Sequence, residues 1–156
     1  MKKILTLVVA ALILTSACKK EETEEPSVKG TWTLGATTYK MAFSAKTTTS
    51  GGDHLYIFAD ALPNNPQVNT LNLSFKTAPT ATGTYELISA GTTKTTDKHL
   101  HIAAGGPAGT YAYLGSALSV TITLKDGKVV LNLPEIAVKS TGTLPELKLS
   151  ASISEM

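Results

Sequence analysis
His99 and His101 stand two residues apart on either side of Leu100. On a β-strand, residues i and i+2 point to one face. Imidazole pairs at that spacing can chelate zinc or copper. His54 becomes a third ligand if its strand neighbours theirs, with Asp53 or Asp97 in support. A simpler reading competes. Leu100 and Ile102 form the buried face of the same strand, which turns both histidines onto a polar outer surface. Asp53-His54 does not make a catalytic pair, because adjacent strand residues point to opposite faces. No G-x-S-x-G nucleophile elbow occurs either. Carboxylates for glycoside hydrolysis would come from Asp53, Asp60, Asp97, Asp126, Glu86, Glu135, Glu146 and Glu155. Asp126 is used by a turn, and nothing around the others marks a pair. The expectation is a protein that is not an enzyme and carries no cofactor.

Tyr111 and Tyr113 share a strand face beside Gly105-Gly106-Pro107-Ala108-Gly109. Tyrosine rings stack on sugars and peptides while their hydroxyls stay wet, and glycines let a ligand approach the backbone. These residues are therefore the candidate glycan or peptide site. The competing reading places the rings over the edge of the core. The glycine run lacks the lysine and following helix of a phosphate loop. The chain has no arginine, the preferred fork for phosphate and carboxylate. Fourteen lysines less Lys2 and Lys3 leave twelve, against twelve acidic residues. That balance offers no basic stripe to nucleic acid.

The N-terminus carries a different chemistry. Lys2-Lys3 precede an apolar run from Ile4 to Leu14, then Thr15-Ser16-Ala17 and Cys18, the only cysteine. A positive start, an apolar stretch and small residues before a cut site form a secretory signal. As a helix the run reaches about 16 Å, short of a bilayer core of about 30 Å. It resembles bacterial lipoprotein signals, although Thr15 stands where that family usually has Leu and Leu14 lies one step earlier. The resemblance implies that Cys18 is acylated and becomes the mature N-terminus, held by acyl chains in a membrane. Lys19-Lys20-Glu21-Glu22-Thr23-Glu24-Glu25 follows. This acid-rich tether resembles the export signal of Bacteroidota surface lipoproteins. It implies display outside the outer membrane, with a periplasm-facing location as the alternative. Physically it is a solvated spacer. The chain thus divides into a signal (1–17), a lipidated cysteine and tether (18–28) and one domain (29–156).

The elements that must position the candidate residues are strands. Val120, Ile122 and Leu124 alternate with polar residues, as do Leu71, Leu73 and Phe75, and Leu147, Leu149, Ala151 and Ile153. Asp126-Gly127 predicts a tight hairpin between 118–124 and 128–133. Pro134 cannot donate to a ladder, so the strand breaks, bulges or lies at an edge there, and 135–139 continues as a separate piece. Further strands are expected at 30–34, 37–45, 54–59, 83–88, 99–103 and 110–115. Trp32 is expected to plug one end of the core. Tyr56 and Phe58, opposed by Leu55 and Ile57, predict a central strand covered on both faces. About nine short strands imply an all-β domain. An antiparallel β-sandwich is preferred; a closed or flattened, lipocalin-like antiparallel barrel is the alternative. Gly83-Thr84-Tyr85-Glu86-Leu87, Gly115 to Thr123, Gly30 to Thr33 and Tyr39 resemble small Bacteroidota lipoproteins of unknown function. That likeness implies a fold and an address, and no activity.

Overall fold
The computed structural model describes residues 30–140 and 142–156. The signal, Cys18 and the tether of Lys19, Lys20, Glu21, Glu22, Glu24 and Glu25 lie outside the described residues. The described part is all-β, with eleven strands. In chain order they are β1 (Gly30–Leu34), β2 (Thr37–Lys40), β3 (Phe43–Thr48), β4 (His54–Ala59), β5 (Thr70–Phe75), β6 (Gly83–Leu87), β7 (His99–Gly106), β8 (Gly109–Ala112), β9 (Leu118–Lys125), β10 (Lys128–Ser140) and β11 (Leu147–Ser154).

All eleven belong to one sheet, ordered β2-β1-β11-β10-β9-β6-β7-β5-β4-β3, while β8 pairs with both β10 and β7. The double pairing of β8 closes a ring through β10, β9, β6, β7 and β8. The remaining strands extend from that ring as two wings, an arrangement compatible with both sandwich and barrel. The wings meet again at the chain itself. The stretch expected as one strand over 37–45 bends at Met41-Ala42. There Met41 N–H donates to Gly30 O at 2.9 Å and Ala42 N–H to Ala59 O at 2.8 Å. One segment thereby begins in one wing and ends in the other, with Met41 buried at the corner. The C-terminus fastens the same seam. Val129 N–H donates to Glu155 Oε2 at 3.1 Å, Lys46 lies 3.5 Å from Glu155 Oε1, and Met156 N–H donates to Ser44 Oγ at 2.8 Å.

The core fills the space between the inner faces. Leu71, Leu73 and Phe75 point inward while Thr70, Asn72 and Ser74 are half-buried on the other face, as the alternation requires. Phe75 is packed edge-on by Tyr56 (5.5 Å between centroids) and Tyr85 (5.4 Å). Trp32 is buried and stacks on Tyr39 at 5.3 Å. Each large side chain so buried contributes about 2–3 kcal/mol. In β4, Tyr56 and Phe58 are buried, but Leu55 and Ile57 are only half-buried, so the strand is fully covered on one face.

Two features give the sheet its functional geography. First, β6 and β7 are parallel (Glu86 opposite His99, Leu87 opposite Leu100), within an otherwise antiparallel sheet. Parallel neighbours need a long crossover, and residues 88–98 supply it without a helix. Second, β10 is bulged. Its register with β11 passes from Leu133–Ala151 to Ile136–Leu149, one extra residue on the β10 side. Pro134 and Glu135 occupy the bulge and are exposed, while Leu133 and Ile136 both remain buried. Without that extra residue, every side chain after Leu133 would change face. The two pieces expected on either side of Pro134 are one strand.

Candidate functional site
The candidate residues sort into two regions, one at each irregularity of the sheet. The crossover 88–98 folds over the outer face of β7, and polar side chains hold it there. Lys94 is the centre. Its side chain is only 5% exposed. Its ammonium donates to Asp53 Oδ2 at 2.8 Å, Ser74 Oγ at 3.1 Å and His101 Nδ1 at 3.2 Å. Those three bonds use all three N–H groups. His101 Nε2–H in turn donates to Thr92 O at 2.9 Å. Burial first, then the Lys94 ammonium, lower the His101 pKa below the usual 6.5; the bond to Thr92 and the Asp53 charge act in the opposite sense. His99 is engaged in the same way. Its Nδ1 accepts from Thr95 N–H at 3.2 Å, and its Nε2–H donates to Glu86 Oε2 at 3.1 Å. Lys76 Nζ caps Thr95 O at 2.9 Å, and Thr77 Oγ1 donates to Asp97 Oδ1 at 2.8 Å.

These contacts place the three candidate metal ligands. His99 and His101 share the outer face of β7, as their spacing implies. His54 does not join them. It is in register with Phe75, and Phe75 with Leu100, so it sits on the inner-face set, opposite in sense to His101. Among the described residues no group of three or more His, Cys, Asp or Glu is placed to hold a metal ion. Asp53 and His54 do point to opposite faces, with Asp53 turned outward to Lys94. Sequence reading missed Lys94. The available signal was a single lysine inside the threonine run Thr92-Thr93-Lys94-Thr95-Thr96.

The tyrosine site also changes character. Tyr111 and Tyr113 are 6% and 8% exposed, so both rings belong to the core and present no open face for stacking. The glycines beside them serve the fold. A Cβ on Gly106 would lie 2.0 Å from Asn69 Oδ1, so Asn69 already occupies the space a ligand would need. Asp60 holds Asn69 through two bonds of 2.7 Å, to its backbone N–H and its side-chain amide. The void beside Tyr111 is about 10 Å³, room for about one water.

Tyr113 lines something larger. A cleft of about 370 Å³ lies between Tyr113-Leu114-Gly115 on one side and Ile136, Ala137, Lys139 and Glu146 on the other. Its cause is a gap in the sheet. β9 pairs with β10 only from Lys128 to Leu131, and β8 only at Lys139 and Ser140. Among the described residues no strand is registered against that side of β10 in between. Strand alternation shows which backbone groups face the gap. Tyr113 N–H donates to Ile102 O at 3.1 Å, so Ala112 is the residue turned to Lys139. Ile136 and Val138 then face β11, opposite Leu149 and Leu147, and Ala137 directs its N–H and C=O into the cleft. After Tyr113, whose hydroxyl donates to Ser116 O, the chain turns away instead of continuing β8. Leu114 is left 43% exposed at the rim. Lys139 and Glu146 face each other there at 3.8 Å, both well exposed.

Compared with protein-family models, curated proteins and solved structures, the chain matches none.

Proposed function
We propose that this chain is a lipid-anchored, non-catalytic β-domain of the outer membrane, displayed at the cell surface, that works by binding a partner or as a structural component there. One observation carries the reading. Lys2-Lys3, the apolar run Ile4 to Leu14 and the lone Cys18 are followed at once by the acid-rich Glu21 to Glu25, and a compact β-domain starts at Gly30. A hydrophilic spacer between an acyl anchor and a folded domain holds that domain clear of the bilayer.

Two structural observations support the rest of the reading. His99 and His101 have both ring nitrogens hydrogen-bonded, to Thr92, Lys94 and Thr95 of the crossover and to Glu86 of β6. The cleft beside β10 combines apolar lining with the Ala137 backbone, which has no strand registered opposite it among the described residues, and that suits binding. The test is fractionation of cells expressing the full chain or its Cys18→Ser variant. The native chain is expected in the outer-membrane fraction and to be cut by protease added to intact cells; the variant is expected in the soluble fraction. A Cys18→Ser chain that stays with the membrane overturns the anchor, and a native chain resistant on intact cells but cut after lysis overturns surface display.

A further inference from the structure
We infer that the gap in the sheet between the end of β8 and the start of the β9–β10 pairing is a docking slot for an extended peptide segment with a leucine- or phenylalanine-like side chain. The inference deepens the binding reading above by naming the partner's chemistry, and it rests on that reading.

Four features of the slot converge on this occupant. Its wall is the side of a strand whose Ala137 N–H and C=O face the cleft with no strand registered opposite them among the described residues. An extended peptide supplies a carbonyl and an amide at the matching spacing, as in recognition by strand addition. Its floor is apolar, formed by Tyr113 and Ile136. About 370 Å³ accommodates one large side chain with its flanking backbone, within the usual range of ligand clefts. The bulge marks where pairing stops: Pro134 has no N–H to offer, which fits a side of the strand left open. A sugar is a poorer fit, because Tyr113 is buried and presents no ring face. The chain's own tether is a poorer fit too, since Lys19 to Ser27 contains no large apolar side chain. Leu114, 43% exposed, and the Lys139–Glu146 pair form the rim, where polar residues flanking the anchor would lie.

The test uses the full chain in detergent, an array of short linear peptides with a central leucine or phenylalanine, and a panel of oligosaccharides as the competing class. Peptides with the apolar centre are expected to bind and to slow exchange of the Ala137 amide, read by NMR. Ala137→Pro is expected to weaken binding about tenfold, the effect of one lost backbone hydrogen bond, and Leu114→Asp is expected to weaken it as well. The inference is overturned if no peptide binds. It is also overturned if bound peptides protect β2 or β3 and leave Ala137 exchanging, or if an oligosaccharide, and no peptide, protects Ala137. Should Ala137→Pro not fold, exchange in the native chain decides alone. Peptide binding by purified protein is independent of Cys18 acylation, so failure here is separable from failure of the anchor.

Discussion

The crossover above β7 and the slot beside β10 are both interruptions of one sheet, finished in opposite ways. At the crossover, an irregular segment covers the sheet and its polar groups are matched. Lys94 spends all three donors within the protein, and both histidines use both ring nitrogens. At the slot, a regular strand loses its neighbour and the backbone of Ala137 is left facing a cleft. Residue types that suggest chemistry are concentrated in the first region, yet the first region is occupied with holding itself together. The second carries few reactive groups and has the open backbone. A histidine pair or a lysine is therefore informative only once its partners are known, and an amide that faces a cleft leaves no mark on composition.

The sharpest contrast between the regions comes from proline substitutions at adjacent positions of β10. Val138→Pro removes a ladder bond to β11 and a fully buried side chain, with an expected loss of about 3 kcal/mol or more. Ala137→Pro removes only an N–H that faces the cleft, with an expected loss below about 1 kcal/mol. Denaturant unfolding of the two variants measures the difference, and equal losses would mean that β10 is paired on both sides.

Lys94→Met comes next in size. It leaves the Asp53 carboxylate without its ion pair and His101 and Ser74 without a donor. Because Asp53 is 35% exposed, solvent recovers part of the cost, and about 2 kcal/mol is expected. Limited proteolysis of the variant should cut first within 88–98. Early cleavage elsewhere would remove Lys94 as the clasp.

The smallest effect is a pH dependence. The folded state lowers the His101 pKa below 6.5, through burial and then Lys94. Below about pH 6.5 the unfolded chain therefore binds more protons at this site than the native chain, and stability falls as pH falls. Protonation would set an imidazolium against the Lys94 ammonium, with Asp53 the opposing charge and His99 a further cation when protonated. His101→Gln should flatten the stability profile between pH 7 and the acid side; an unchanged slope would show that His101 does not contribute.

Much of this architecture was legible in the sequence, because burial on one face imposes a period of two. The Asp126-Gly127 hairpin is formed as read, with both residues at positive φ (52° and 73°), a conformation that Asp and Gly tolerate in tight turns. The bulge was half legible. Apolar positions at Leu131 and Leu133 resume at Ile136 and Val138, a phase slip of one residue, and Pro134 marked the place. What alternation cannot express is direction and partnership. A strand reads the same whether its neighbour is parallel or antiparallel, so the β6–β7 pair and its crossover were invisible. The Met41-Ala42 bend keeps a strand-like pattern on both sides. Lys94 reads as a solvated lysine, since Asp53 and Ser74 are far away in the chain. Of the two readings open for Tyr111 and Tyr113, alternation alone could not choose; in the structure the rings lie in the core.

Amide exchange in the free protein tests the contrast between clasp and slot most directly, by comparing Ala137 with its neighbour Val138, with Thr95 of the crossover and with His99 at the start of β7. Global opening exposes all of them together, whereas a local gap exposes one. Fast exchange is expected at Ala137 beside slow exchange at Val138, His99 and Thr95. Protection of Ala137 equal to that of Val138 would contradict that contrast.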